Sequence, residues 1–319
     1  MKKYTLLYLI AILLLVNKKG TQLYAQQLPY YTQFKTNMYM INPAITGTKR
    51  TIDVRINDRI QWVGYDGAPS TMAFSVHGRF FKGKMGAGLS VLKDQIGPSK
   101  QTDISASYAY HIRFPDVELS IGAAGNFTKY TLDGSQITLH NTQDPAIDQT
   151  KTSYDWIPDA SFGMYLYNDR FHFGFSALHL VQSKGEFFKN DTAKKGIIQN
   201  VPHGNFTLGY NYSNNPNFII ENTLYVNYVP SVPVSLDYTL RLHYLNKVFA
   251  GFSLRMKDAI ALQVGGTFWD CLQVSYSYDI LTSKVRPYSR GTHEIMLAFS
   301  HNIHFIKSKF AHQRYAYMF

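Results

Sequence analysis

The stretch Val234-Ser-Leu-Asp-Tyr-Thr-Leu-Arg-Leu-His-Tyr244 separates apolar from polar side chains more cleanly than any other part of the chain. Its even-numbered positions are apolar, whereas its odd-numbered positions, which include Asp237 and Arg241, are polar or charged. Successive side chains point to opposite faces of a β-strand, so a period of two places the apolar groups on one face. The stretch therefore predicts a strand with one apolar and one polar face.

The same alternation recurs about fourteen times between residues 50 and 305. Ten extended residues tilted by about 40° rise roughly 25 Å, which is the height of the apolar band of an outer-membrane barrel. After strands at about 50–62 and 70–80, further strands are predicted to begin near Met85, Gln101, Glu118, Asp159, Arg170, His203, Asn217, Val232, Lys247, Asp258, Cys271 and Thr292. The sequence therefore predicts an all-β fold, a transmembrane antiparallel β-barrel of about 14 strands with lipid outside and polar groups inside.

The connections between these strands differ in length in a regular way. Residues 81–84, 167–170, 213–217 and 245–247 form tight turns, whereas 131–157 and 181–200 are long. The long connections fall on odd-numbered joins and the short ones on even-numbered joins. Short periplasmic turns and longer outer loops are typical of bacterial barrels. This arrangement predicts that both termini lie on the periplasmic side.

The N-terminus predicts export. Lys2 and Lys3 precede an apolar run from Thr5 to Val16, and Leu23-Tyr-Ala25 offers a cleavage site. Such a segment is a secretory signal peptide and is too short for a permanent membrane anchor. The predicted organisation is a signal peptide (1–25), an irregular N-terminal segment (26–49), an outer-membrane β-barrel (50–305) and a C-terminal tail (306–319). The predicted location is the cell outer membrane.

A barrel of this width needs either water or a plug in its lumen. Residues 26–49 are rich in Tyr, Asn and Pro and lack a spanning pattern, so they are a candidate plug. The candidate plug residues are Tyr31, Phe34, Asn42 and Pro43. The predicted inward-facing charges could line an anion pore or pair with one another, and the sequence leaves both alternatives open. These charges are Arg55, Arg59, His77, Arg79, Asp103, His111, Arg113, Glu221, Asp237, Arg241, His243, Arg255, Asp279 and Glu294.

Catalytic motifs are missing from the sequence. It contains no G-x-S-x-G, no H-E-x-x-H and no Cys/His cluster with zinc spacing. Its one cysteine, Cys271, cannot form an intramolecular disulfide. His301 and His304 would point to opposite faces of a strand. We expect no enzymatic activity, no cofactor, no metal site and no nucleic-acid partner.

Two outer connections, 61–69 and 93–99, are predicted to be shaped turns, because Gly and Pro fix special backbone angles. Their candidate partner-binding or structural residues are Trp62, Gly64, Tyr65, Asp66, Gly67, Pro69, Asp94, Gly97 and Pro98. Basic residues of the outer loops are predicted to contact phosphates of outer-leaflet lipid, with contact to a protein partner as the alternative. They are Lys184, Lys189, Lys194, Lys195, Lys284, Arg286 and Arg290.

Several stretches resemble the PorP/SprF family of type IX secretion outer-membrane proteins. They include Ile41-Asn-Pro-Ala44, Gln61-Trp-Val-Gly-Tyr-Asp-Gly-Ala-Pro-Ser70, Asp94-Gln-Ile-Gly-Pro98 and Pro233-Val-Ser-Leu-Asp237. The resemblance covers nearly the whole chain after residue 25, and the tail 306–319 and the charged loop 183–195 depart from the family pattern. It implies a fourteen-stranded barrel that binds periplasmic components of the secretion machinery. It also implies an exported adhesin-like client that is secreted or attached to the surface, and a link to gliding motility.

The sequence is therefore compatible with two functions. The first is a secretion accessory that binds the type IX machinery, an exported client, or both. The alternative is a passive outer-membrane channel or hydrophobe transporter, which a polar lumen would also suit. The predicted facing further implies that Leu236→Arg costs roughly 2–4 kcal/mol, whereas Thr239→Arg in a wet lumen costs much less.

Overall fold

A computed structural model describes residues 28–49, 51–80, 83–137, 149–188 and 196–302. Its strands are β1 (Thr51–Ile60), β2 (Ser70–Phe80), β3 (Met85–Ile96), β4 (Ser99–Arg113), β5 (Glu118–Asp133), β6 (Thr152–Tyr167), β7 (Phe171–Leu178), β8 (Lys184–Phe187), β9 (Gly196–Gln199), β10 (His203–Asn215), β11 (Phe218–Tyr228), β12 (Ser235–Tyr244), β13 (Val248–Arg255), β14 (Ala259–Phe268), β15 (Leu272–Leu281) and β16 (Thr292–Asn302). The predicted signal peptide and the tail 306–319 lie outside the described residues. In the part of the chain that the structure describes, no helix is long and apolar enough to cross a membrane.

Fourteen of these strands form one closed antiparallel barrel. Each pairs with its neighbour in sequence, except that β7 pairs with β10 across the separate hairpin of β8 and β9. β1 closes the barrel against β16, with Thr51 opposite Asn302 and Ile60 opposite His293. Closure pairs the backbone of β1 with that of β16, so the barrel sheet itself has no free edge. The predicted fold class is confirmed.

The alternation of side chains sets the two faces of the wall. On β12, Thr239 is completely buried, whereas Tyr238 and Leu242 are 37% and 45% exposed. The exposed apolar side chains continue around the barrel in an outer band that faces lipid, while polar side chains turn inward. Because a one-residue slip would reverse the two faces, this pattern also fixes the strand register.

Observed strand starts agree with the predicted ones within three residues, except for β6. β6 begins at Thr152 instead of near Asp159, because β5 and β6 stay paired as far as Asp133 opposite Thr152. This stretch was predicted to be loop, but its residues continue the ladder beyond the apolar band. The long β5–β6 connection is correspondingly shorter than predicted.

The loop lengths give the orientation of the barrel. The connections 81–84, 114–117, 168–170, 216–217, 245–247 and 269–271 all lie at one end, which we assign to the periplasm. The opposite, outer end carries the long connections 61–69, 134–151, 179–202 and 282–291. Two outer connections are short, however, namely 97–98 and 256–258. The prediction of a loop at residues 93–99 is therefore wrong, because Lys93 to Ile96 continue β3 and only Gly97 and Pro98 form the turn.

Residues 28–49, hereafter the plug, occupy the lumen. Most of them are buried, and they form short 3-10 turns at Met38–Met40 and Pro43–Ile45. Leu28 lies in the outer half, where its amide donates to His203 Nε2 at 3.1 Å. Lys49 lies at the periplasmic end, 2.9 Å from Asp53. The barrel strands thus start and finish on the periplasmic side as predicted, but the described chain itself begins in the outer half of the lumen.

The β8–β9 hairpin covers part of the outer end. It packs on inward-facing residues of β5 and β6, in a cluster in which Ile157 is completely buried beside Phe187 and Ile198. Tyr130 donates to Asn200 Oδ1 at 2.9 Å, which holds the end of the hairpin to β5. The lumen is therefore filled from within and partly covered from outside.

Candidate functional site

A buried ionic cluster ties the start of the plug to the wall. The hydroxyl of Thr32 donates to Asp279 at 2.8 Å and accepts from Arg59 at 2.7 Å and from Arg255 at 2.9 Å. Its amide donates to Glu294 at 2.8 Å. Arg59 also forms ion pairs with Asp279 at 2.9 Å and with Glu294 at 2.8 Å. Side chains from β1, β13, β15 and β16 therefore converge on one threonine of the plug.

Tyr30 extends this cluster toward β12. Its hydroxyl donates to Asp237 at 2.5 Å, and the guanidinium of Arg255 lies 3.8 Å from the centre of its ring. Burial and the neighbouring charge of Asp237 hold the pKa of Tyr30 well above its usual value. The phenol therefore stays protonated and remains a hydrogen-bond donor to the carboxylate.

The middle of the plug fits against β6, β7 and β11. Asn42 donates its side-chain amide to the carbonyls of Met164 at 3.1 Å and Phe175 at 3.2 Å. The same side chain accepts from the amide of Ala44 at 2.9 Å and so caps the Pro43–Ile45 turn. The ring of Phe34 stacks on Tyr225 with centroids 4.8 Å apart. All four candidate plug residues, Tyr31, Phe34, Asn42 and Pro43, are buried.

Glycines of the wall make room for this segment, and sequence reasoning missed them. A Cβ added at Gly163 would lie 2.0 Å from Asn42 Oδ1, and one at Gly122 would lie 2.5 Å from the carbonyl oxygen of Pro43. At Gly86 the added atom would lie 2.3 Å from the carbonyl oxygen of Thr46. No sequence pattern distinguishes these glycines from others in the strands, because the need for them arises only when the plug is in place.

The inward-facing charges mostly pair with one another and with the plug. Arg59, Asp279 and Glu294 form the outer cluster, and Arg79 pairs with Glu118 near the periplasmic end. Arg113 departs from the prediction, because its side chain is 54% exposed at the end of β4. The anion-pore alternative loses support, since most of these charges are paired and the plug fills the lumen.

The outer loop 61–69 connects to two neighbouring loops. Val63 exchanges backbone hydrogen bonds with Gly291 at 2.9 Å and Arg290 at 2.8 Å. On the other side, the amide of Gly97 donates to Gly67 at 3.0 Å. Residues 61–69, 97–98 and 289–291 thus form one connected surface, hereafter the outer rim.

Within the outer rim, several candidate residues have special conformations. Trp62 has a φ of 48°, which is unusual for a bulky residue, and Gly64 and Gly67 have φ values of 95° and 72°. Trp62 and Tyr65 meet edge to face with ring centroids 6.5 Å apart. Tyr65 is 51% exposed and Asp66 is also exposed, whereas Pro69 is buried.

Asp94 does not belong to this rim. It lies on β3 with its side chain in the lumen, where Thr71 donates to it at 2.6 Å. The alternation of β3 simply runs on to Ile96, so Asp94 shares the inward face with Leu92. Gly97 and Pro98 form the tight turn that follows and are the only predicted residues of the 93–99 stretch that reach the rim.

Among the described residues, no three His, Cys, Asp or Glu side chains are grouped so that they could hold a metal ion. Cys271 lies in the β14–β15 turn and is half-buried.

Comparison with known proteins gives the family. A family model described as "Type IX secretion system membrane protein PorP/SprF" matches residues 23–299. No match is found among curated proteins. Similar solved structures include a FadL homologue of Pseudomonas aeruginosa, with 8% sequence identity and a TM-score of 0.44. That match covers 80% of this chain and 89% of the homologue. The CymD monoaromatic hydrocarbon channel has 13% sequence identity and a TM-score of 0.48, and the match covers 82% of this chain and 90% of that protein. The Pseudomonas putida toluene transporter TodX has 9% sequence identity and a TM-score of 0.48, and the match covers 86% of this chain and 95% of the transporter.

The family match spans most of the chain and includes both the plug and the outer-rim motif Gln61 to Ser70. The resemblance inferred from those motifs is confirmed, and so is the outer-membrane location. The chain therefore belongs to the PorP/SprF family of type IX secretion system membrane proteins and is a β-barrel of the outer membrane.

Proposed function

We propose that this protein is a non-enzymatic scaffold of the type IX secretion system. In this role it binds the secretion machinery, an exported adhesin-like client, or both, for secretion or surface attachment. The observation that carries the proposal is the plug, which fills the lumen and is hydrogen-bonded to side chains and backbone carbonyls of strands around the wall. A barrel filled in this way offers surfaces for binding instead of a path for solutes.

The alternative of a passive channel or hydrophobe transporter needs a continuous path through the lumen. Within the described residues, the cavities beside the plug include one of about 130 Å³ at the periplasmic end and one of about 60 Å³ in the outer half. Residues 36–39 and 41–48 are buried between and around these cavities. The filled lumen therefore favours the scaffold over the channel.

The outer rim is the surface that we assign to the client. Its loops hold each other through backbone hydrogen bonds, so its shape is set before a partner arrives. Trp62 keeps a sparsely populated backbone conformation, and such strain is found at binding sites. Tyr65 and Asp66 stand out from this surface and offer an aromatic ring and a carboxylate.

The proposal is tested by deleting the gene and comparing surface proteins with solute uptake. We expect one or more type IX clients to disappear from the surface while small-solute permeability stays unchanged. Normal display of every client would overturn the proposal. Planar-bilayer recording of the purified protein tests the alternative, because steady conductance with residues 26–49 present would favour a channel.

A double substitution in the outer rim tests whether the client binds there. Tyr65→Ala combined with Asp66→Asn should reduce client display without changing the amount of folded barrel. Tyr288→Ala is the matched control, because Tyr288 is also an exposed tyrosine of an outer loop but lies outside the rim. Equal loss of client display in the two strains would contradict the assignment to the outer rim.

A further inference from the structure

Buried charges in the lumen are separated by sign along the barrel axis. Among the described residues, those in the periplasmic half are Asp53, Arg55, Arg79, Glu221 and Arg241. Those in the outer half are Arg59, Arg255, Asp94, Asp103, Asp159, Asp237, Asp279 and Glu294. Carboxylates outnumber cations in the outer half, whereas cations outnumber carboxylates in the periplasmic half. Among the half-buried groups of the periplasmic half, Lys35 and Lys49 of the plug add to this excess, while Glu118 and Asp169 offset it in part.

A cavity of about 130 Å³ lies within this region. Its charged lining consists of the cations Lys35, Lys49, Arg55 and Arg241 and the carboxylates Asp169 and Glu221, and His172 and turn residues such as Asn168 also line it. Asn168 belongs to the β6–β7 connection at the periplasmic end. The cavity therefore lies at the periplasmic mouth of the barrel, inside its closed wall.

The cations around the cavity are incompletely matched. Asp53 is shared between Lys49, at 2.9 Å, and Arg55. Glu221 is shared between Lys35, at 3.2 Å, and Arg241, at 3.9 Å. Asp169 of the β6–β7 connection also lines the cavity, so four cations face three carboxylates. Burial and the charge of Arg55 lower the pKa of the Lys49 amine, although Asp53 opposes them.

Two polar side chains at the cavity also have unused hydrogen-bonding atoms. Arg55 and His172 are each more than nine-tenths buried. Within the described residues, Nη1 of Arg55 and Nε2 of His172 have no hydrogen-bond partner. An unpartnered buried guanidinium nitrogen is costly, and a ligand oxygen would remove that cost.

We propose that this cavity binds a carboxylate from an acidic segment of a periplasmic protein. Its surplus of cations and its unused donor nitrogen suit a carboxylate, which accepts several charge-assisted hydrogen bonds. Lipid headgroups cannot reach it, because it lies inside the closed wall and away from the lipid face. The inference deepens the proposed function, since it gives the chemistry by which the periplasmic machinery is held.

The test uses the purified full-length mature protein in detergent and a pair of capped peptides. One is Gly-Gly-Glu-Gly-Gly, whose only carboxylate is the glutamate, and the other has glutamine in its place. We expect the glutamate peptide to bind at least about tenfold more tightly by calorimetry, as one or more charge-assisted hydrogen bonds imply. Equal binding of the two peptides, or no binding of either, would overturn the proposal.

Substitutions then place the peptide in the cavity. Lys49→Gln should remove most of the preference for glutamate, while Lys247→Gln should keep it. Lys247 carries the same charge at the same end but belongs to a turn outside the cavity. If Lys49→Gln does not give the folded, heat-modifiable band on a gel, Lys35→Gln replaces it. Retention of the full preference in the folded variant would overturn the proposal.

Competition with inorganic phosphate tests whether the cavity prefers a protein carboxylate or binds a free phosphate ion equally well. We expect phosphate to compete only weakly, and competition equal to that of the glutamate peptide would overturn the assignment to a protein carboxylate. The proposed function can fail independently. If gene deletion leaves every client displayed while the purified barrel still binds the glutamate peptide, the scaffold role is wrong and the anion site stands.

Discussion

The hydroxyl of Thr32 lies 2.8 Å from both carboxylate oxygens of Asp279, so this threonine bonds the plug to β15. Both residues are buried, and Arg59 and Arg255 contact the same hydroxyl. In a buried network of this kind, removal of one partner leaves the others with unsatisfied charge. The contact is therefore central to keeping the plug inside the barrel.

Thr32→Val tests this directly, because valine has the shape of threonine but no hydroxyl. We expect the variant to lose about 1–3 kcal/mol of unfolding free energy, since Asp279 loses a donor and two arginines lose an acceptor. Denaturant unfolding in lipid vesicles, followed by tryptophan fluorescence, measures the change.

The matched control for that substitution is Thr223→Val. Thr223 is also buried in the lumen, but its hydroxyl has no hydrogen-bond partner among the described residues. Its loss should therefore leave the stability nearly unchanged. A similar loss in both variants would mean that the hydroxyl of Thr32 has no special role in holding the plug.

Alternation along the strands was enough to predict the closed barrel. In β12, for example, the period of two identifies Tyr238 as lipid-facing and Asp237 as inward-facing, and the structure agrees. The alternation also marks inward positions such as Arg59 and Asp279. It cannot tell which inward groups meet, because their pairing depends on barrel closure between strands far apart in sequence.

The plug was predicted only as a segment without a spanning pattern. Its path and contacts could not be predicted, because no periodicity relates Asn42 to the backbone of β6 or Thr32 to Asp279. Asp94 was misplaced for a related reason. The Gly97-Pro98 pair marks a turn correctly, but the polar residues before it were interpreted as loop when they continue the inward face of β3.

Gly163→Ala should displace the centre of the plug. The added methyl group would lie 2.0 Å from Asn42 Oδ1, so either the plug or the strand must move. We expect about 1–3 kcal/mol of destabilisation and faster proteolysis near residue 42. Gly125→Ala on β5 is the control, because nothing lies within 4 Å of its added methyl group. Equal protease resistance in the two variants would argue against a tight fit of the plug.

A charge on the lipid face should be tolerated according to its depth. Leu262→Arg, in the middle of β14, should cost about 2–4 kcal/mol, whereas Val248→Arg at the periplasmic end of β13 should cost about 0–1 kcal/mol. Both wild-type side chains are about half exposed on the lipid face. Unfolding in vesicles measures both free-energy costs, and equal costs would contradict the assigned membrane position.

The small cost predicted from the sequence for Thr239→Arg assumed a water-filled lumen. Thr239 is completely buried in the structure, so we expect a substantial loss of unfolding free energy for this substitution as well.

The raised pKa of Tyr30 predicts that the folded barrel loses stability at high pH. Burial and Asp237 raise its pKa in the folded protein above the usual value of 10.0, so the folded state retains a proton that the unfolded state loses. The stability that it contributes is complete below about pH 10 and falls by about 1.4 kcal/mol per pH unit above it, until the folded pKa is reached. Tyr30→Phe should be less stable than the wild type at pH 8, because Asp237 loses its donor. The difference should narrow as the pH rises from 10 to 11. Unfolding curves at these pH values measure it, and a constant difference would mean that the Tyr30 phenol ionises as readily in the folded barrel as in the unfolded chain.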